Sequence, residues 1–179
     1  YGGLRFFERQ EIKDALAYLR LIANRDDDAS FDRVVNLPTR GIGARTLEVL
    51  RAHAKAHELS LWRSSTACTD ELGAKATASL QAFLALVEKL DADTQGLPLH
   101  EQVDHVIQAS GLAGHYQRDK ADKGEARLEN LEELVSAARG FEPEDGDMPP
   151  LASFLSHAVL ESGEGQAEAW EDCVQMMTL

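Results

Sequence analysis

Between Glu11 and Arg25 the apolar side chains Ile12, Ala15, Leu16, Leu19, Ile22 and Ala23 recur at the spacing of a single helical face. A chain patterned this way must bury that stripe against other helices or a sheet, and the same periodicity continues downstream. A short helix is expected from Ala29 to Val35, stopped by Pro38. After Gly41 and Gly43, the positions Thr46, Leu47, Leu50 and Ala54 predict a helix to about His57. Further helices are predicted near 60–67, 74–91, 99–110, 112–121, 124–139 and 151–162, punctuated at Gly96, Pro98, Gly111, Gly124 and between Pro143 and Pro150. Only the ends read as strand: Tyr1 to Phe7, rich in aromatics, and the apolar run Cys173 to Leu179. The acidic, proline-containing stretch from Phe141 to Pro150 lacks periodicity and reads as an exposed, mobile loop. The expected class is mainly α, a multi-helix domain carrying short strand remnants at its two ends.

With 179 residues, 44% of them hydrophobic, the chain can bury one substantial core. No apolar run approaches the roughly 20 residues that span a bilayer, and nothing resembles a signal peptide, so a cytosolic protein without a membrane partner is expected. The formal net charge of -13 argues at first against a polyanionic partner. Its distribution reverses that argument. Residues 1–60 hold ten of the 18 Lys and Arg residues against nine acids, which leaves the remainder of the chain at -14. Between Arg33 and Lys55, Arg40, Arg45 and Arg51 complete a set of five bases opposed by the single acid Glu48. A phosphate backbone is expected to dock there.

The informative cluster runs Asn36-Leu37-Pro38-Thr39-Arg40-Gly41-Ile42-Gly43-Ala44-Arg45-Thr46. Glycines at 41 and 43 let bare backbone approach a phosphate. The helix that follows offers unpaired N–H groups and the positive end of its dipole. Arg40, Arg45 and Thr46 add charged and hydroxyl donors. The candidate duplex-backbone contacts are therefore Thr39, Arg40, Gly41, Ile42, Gly43, Arg45 and Thr46, a helix–hairpin–helix grip that reads no bases. The competing reading is a plain helix–helix turn with incidental arginines.

No catalytic or metal-binding set is expected in the chain. A phosphate-cradling Walker A loop needs a Gly-Lys dipeptide, and the sequence has none. The pair Asp70-Glu71 follows no apolar strand and reads as ordinary helix-start acids rather than magnesium ligands. His53 and His57 share a helical face, but nothing adjacent in sequence completes a zinc set, so solvent-exposed histidines are expected. His100, His105, His115 and His157 form no triad with any serine or cysteine. Cys68 and Cys173 read as free thiols, and Trp62 and Trp170 as packing residues rather than base-stacking platforms.

The segment Gly2-Gly3-Leu4-Arg5-Phe6-Phe7-Glu8-Arg9-Gln10-Glu11-Ile12-Lys13-Asp14 resembles motif IVa of superfamily 1A helicases of the UvrD/Rep/PcrA family. Tyr18 to Ile22, the Asn36 to Thr46 turn, Leu128 to Leu134 and Phe154 to Ala158 follow in that family's order, and Val174 to Leu179 resembles the approach to motif V. The resemblance covers nearly the whole chain. It implies a parent enzyme that uses ATP and Mg to move 3′ to 5′ on single-stranded DNA in DNA repair and unwinding. The chain itself would carry no cofactor, lacking Walker A, Walker B and motif VI. It would consist of a motor-domain (2A) remnant at 1–24, the helical 2B accessory domain at 25–172, and a return strand into the α/β motor at 173–179. The implied partners are duplex DNA at a single/double-strand junction, the rest of the motor, and DNA repair proteins. By the same resemblance, Arg5, Phe6 and Thr178 would lie near the single strand. A protein-interaction or autoregulatory module with little DNA affinity is the alternative, motivated by nine acids and no Lys or Arg from Phe141 to Leu179.

Overall fold

The computed structural model describes residues 4–68, 70–119, 123–144 and 146–162. Within them the chain forms ten helices: α1 (Leu4–Glu8), α2 (Gln10–Ala23), α3 (Asp28–Val34), α4 (Ala44–His57), α5 (Leu61–Ala67), α6 (Ala74–Thr94), α7 (Leu99–Ala109), α8 (Leu112–Gln117), α9 (Lys123–Arg139) and α10 (Pro150–Ser162). No strand occurs among the described residues. No described helix is long and apolar enough to cross a membrane.

The expected stripe on α2 is the centre of the molecule. Ile12, Ala15, Leu16, Leu19 and Ile22 are buried, joined by Tyr18 and Leu21. A helix buried on so wide an arc needs neighbours on several sides, and α2 packs against α3, α6, α7, α9 and α10. Residues of α1 and α2 thus share one core with the helices beyond residue 24. Phe31 of α3 meets Phe83 of α6 edge to face at 5.5 Å. Each ring contributes about 2–3 kcal/mol through burial, with about 1 kcal/mol more from the pairing.

Helix boundaries follow local chemistry. Asp27 caps α3 by accepting the Ser30 N–H at 3.0 Å, and Ser60 caps α5 by accepting that of Arg63 at 3.2 Å. Gly111, with φ of 90°, joins α7 to α8 in the left-handed region. A Cβ there would sit 3.2 Å from Pro38 Cγ, so this joint also lets the 36–43 loop pack closely.

Two acidic side chains of α2 are buried, and both are satisfied. Asp14 accepts from Arg33 Nε at 2.7 Å and from the Tyr116 hydroxyl at 2.7 Å. Glu11 accepts from Asn130 Nδ2 at 2.6 Å, and Asn130 Oδ1 accepts from Arg9 at 2.6 Å. Unpaired, either carboxylate would be strongly destabilising; paired, they fix the register of α2 against α8 and α9.

Three expectations are corrected. The strand read from Tyr1 to Phe7 is helix α1 from Leu4 onward, because Phe6 and Phe7 serve packing against α2 and α10 rather than a pleated edge. The helix expected over 112–121 ends at Gln117. Asp70 and Glu71 do not open a helix: α6 starts at Ala74, and the two acids lie in the preceding turn. The strand expected over 173–179 lies outside the described residues. From 142 to 149 the described chain is exposed, as anticipated for that loop, while Phe141 folds back with its ring 5.3 Å from that of Phe154.

Candidate nucleic-acid interface

The loop between α3 and α4 is built around Asn36. Its Oδ1 accepts the N–H of Arg40 at 2.7 Å and that of Ile42 at 3.2 Å, so one side chain ties off two of the hairpin's amides. Gly41 adopts a φ of 80°, which a residue with a Cβ adopts only under strain. The Leu37–Pro38 peptide is cis.

Arg40 does not face outward. Its guanidinium donates to the main-chain oxygens of Val34 at 2.9 Å, Val35 at 3.3 Å, Leu37 at 3.1 Å and Ser110 at 3.2 Å, and to the Tyr18 hydroxyl. It also lies 5.2 Å from the centre of the Phe83 ring. Five fixed N–H donors of a planar fork match this set of acceptors, which are carbonyls left over at the ends of α3 and α7. The Tyr18 hydroxyl donates to the Leu37 oxygen in the same knot. Burial holds the Tyr18 phenol above its ordinary ionisation range, although the adjacent Arg40 charge pulls the other way. Ile42, 1% exposed, is a core residue. Arg40 and Ile42 are therefore corrected from phosphate ligands to supports: the loop's alternation turns one pair of side chains inward and leaves the others out.

What remains outside is contiguous. Thr39, Gly41, Gly43, Ala44 and Arg45 are exposed, and Thr46 is half-buried. Gly43 is the N-cap of α4, with φ -88° and ψ 179°, and no side chain caps the helix. The first-turn amides of α4 have no intrahelical acceptor, and the helix dipole adds positive potential at that end. Arg45 forms no ion pair among the described residues. The arrangement can hold an anion through backbone N–H groups, one guanidinium and the Thr39 and Thr46 hydroxyls.

The broader basic excess is smaller in space than in sequence. Arg33 is paired with Asp14 at 2.7 Å and Arg51 with Asp32, leaving Arg45 and Lys55 as the exposed cations of the stretch that form no ion pair among the described residues. Of the residues expected near a single strand, Arg5 is exposed on α1. Phe6 is 0% exposed and offers no ring face to a base. Thr178 lies outside the described residues. Trp62 is half-buried under the Arg25 guanidinium at 5.4 Å, and Arg25 is held by Glu88 and Asp91, which matches packing rather than stacking on nucleotides.

Sequence reading missed Asn36 as the organiser and Ala44 as part of the exposed rim. An Asn before a Pro-Thr-Arg-Gly stretch is a turn signal, since its short side chain reaches main-chain amides ahead of it.

The family model of the UvrD-like helicase C-terminal domain matches residues 1–179. The chain belongs to this family. It is 56% identical over its whole length to DNA helicase II of Escherichia coli (strain K12), and 54% identical to DNA helicase II of Haemophilus influenzae. It is 34% identical over 99% of its length to the ATP-dependent DNA helicase PcrA of Bacillus subtilis. The helicase domain spans about a quarter of the length of these relatives, 25% in each case. Its mainly helical fold agrees with the membership.

Proposed function

We propose that this chain is the helical accessory (2B) domain of an ATP-dependent DNA helicase of the DNA helicase II type, and that it holds duplex DNA by its phosphate backbone. The observation that supports this reading is the uncapped N-terminus of α4, flanked by Gly41 and Gly43 and by the exposed Arg45. In a chain of net charge -13, that rim is where backbone donors coincide with a cation that forms no ion pair among the described residues. Contacts of this kind recognise phosphate spacing and not base identity, so binding is sequence-independent and weakens with salt. ATP and magnesium act in the remainder of the parent protein, where the 3′ to 5′ motor resides. The domain's part is to grip the double strand ahead of the junction.

The test is fluorescence anisotropy of a labelled hairpin duplex at two salt concentrations, with this chain and with the intact helicase that contains it. Arg45→Ala should weaken binding to every sequence alike and reduce the salt slope by about 1. Unchanged affinity and slope in the intact enzyme would sink the assignment.

A second reading, a docking module for repair proteins, has its own support. A groove of about 750 Å³ runs between α1, α9 and α10, lined by Phe7, Phe141, Phe154, Met148 and Leu160 with Glu142, Glu144 and Glu161 at its edge. Leu160 is 68% exposed. An apolar floor with an acidic rim suits a basic amphipathic segment, and the two readings use different elements of the fold.

A further inference from the structure

The helix that carries the proposed phosphate rim is also the site of an unrelated convergence. His53, half-buried on α4, faces the end of α5, where Cys68 is buried directly after the last helical residue. The Cys68 N–H donates to the Ser64 oxygen at 2.9 Å, and the Glu71 N–H to the Cys68 oxygen at 3.3 Å. This turn folds the exposed Glu71 back over the thiol, with Sγ 3.8 Å from Oε2. One ligand atom from each of His53, Cys68 and Glu71 lies within 4.8 Å of the other two. The imidazole is oriented by the buried Ser64 hydroxyl, 3.3 Å from Nδ1.

We propose that His53, Cys68 and Glu71 form a binding site for one divalent cation of the zinc class, with water as the fourth ligand. Tetrahedral zinc bonds of about 2.3 Å to sulfur and about 2.0–2.2 Å to nitrogen or oxygen place neighbouring donors roughly 3.3–3.7 Å apart. The sulfur-to-carboxylate separation is already close to that range. The two separations to His53, both within 4.8 Å, have to shorten, the carboxylate one by movement of the exposed Glu71 side chain. A thiolate and an imidazole select zinc, cobalt or cadmium, whereas magnesium and calcium prefer oxygen ligands throughout. The site is therefore chemically distinct from any magnesium that accompanies ATP.

Without a cation, burial and the neighbouring Glu71 charge raise the thiol's ionisation above its usual range, so Cys68 is an S–H group leaning on a carboxylate. On binding, the S–H bond breaks, its proton goes to solvent, and sulfur donates its pair to the metal. The ion would cross-link α4 to the α5–α6 turn. Fourteen residues lie between His53 and Cys68 in sequence, so no short motif announces the set.

The experiment is a cobalt(II) titration of the reduced chain in a Cys173→Ser background, which removes the other thiol. One equivalent should develop a near-ultraviolet thiolate-to-cobalt band and release a proton; zinc should displace the cobalt and magnesium should not. Cys68→Ser should abolish the band, and Glu71→Gln, at an exposed position, should weaken zinc binding about tenfold or more. Circular dichroism of each variant establishes that it is folded. His57, whose ring centre is 4.3 Å from that of His53, is the competing partner. A folded chain that gives no thiolate band overturns the proposal. So does zinc binding that survives Cys68→Ser and Glu71→Gln but disappears in His57→Ala, because that result describes a surface histidine pair.

Discussion

Arg40 Nη2 donates to the main-chain oxygen of Ser110 at 3.2 Å, joining the glycine hairpin to the C-terminus of α7 across 70 residues of sequence. An arginine that looked like a phosphate ligand is thereby a structural tie. Arg40→Ala should lower stability by about 2–4 kcal/mol, since it strands several partly buried carbonyls and the Tyr18 hydroxyl. Arg40→Lys should rescue little of this, because a point charge cannot reach acceptors spread over a planar fork. Urea denaturation of both variants checks the claim; a loss below about 0.5 kcal/mol for Arg40→Ala would contradict it. Any fall in DNA affinity in that variant follows from a displaced hairpin, so Arg45 is the cleaner probe of contact.

Gly43 allows stability and binding to be moved in opposite directions. Its backbone is already extended, and a Cβ would meet nothing within 4 Å. Gly43→Asp should cap α4 and stabilise the fold by a few tenths of a kcal/mol to about 1 kcal/mol. The same carboxylate would occupy the amides and repel phosphate, so duplex affinity should fall. Thermal melts and anisotropy on the same sample read both signs, and a variant that is more stable yet binds DNA equally well would remove α4's N-terminus from the interface.

The two buried tyrosines set the alkaline limit of the fold. Burial holds the Tyr116 phenol above its normal range, helped by its hydrogen bond to Asp14, and burial does the same for Tyr18. A phenol with a raised folded-state value keeps its proton after the unfolded chain has lost it, so its stabilising contribution is complete below about pH 10 and is lost as pH climbs past that point. Stability should therefore fall steeply above about pH 10, and Tyr116→Phe should flatten the decline. At neutral pH the same substitution should cost about 1–3 kcal/mol, since it removes a donor from the buried Asp14 carboxylate. Denaturation midpoints from pH 7 to 11 measure both effects.

Much of the architecture was legible because helices announce themselves twice, by apolar period and by punctuation. Ile12, Leu16 and Leu19 gave the face of α2, and Gly111 and Pro150 fell at real boundaries. Residues 4–7 misled because aromatic content argues for strand only when nothing else needs the rings, and here α2 and α10 do. The candidate interface was legible in location but not in orientation. Residue type marks Arg40 and Arg45 as equal cations, and only the third dimension shows Arg40 turned into a nest of carbonyls. The charge excess was likewise overstated in one dimension, because Asp14 and Asp32 lie outside the counted stretch yet neutralise Arg33 and Arg51. His53, Cys68 and Glu71 were beyond reach of any local pattern, since packing of α4 on α5 creates their proximity.

Because Asn36 binds the amides of both Arg40 and Ile42, the hairpin's turn is held by the chain's own hydrogen bonds. In the proposed grip, the parent enzyme would seize and release its duplex repeatedly. A loop fixed in this way would suit such cycling, because little conformational entropy would be surrendered at each grasp or regained before letting go.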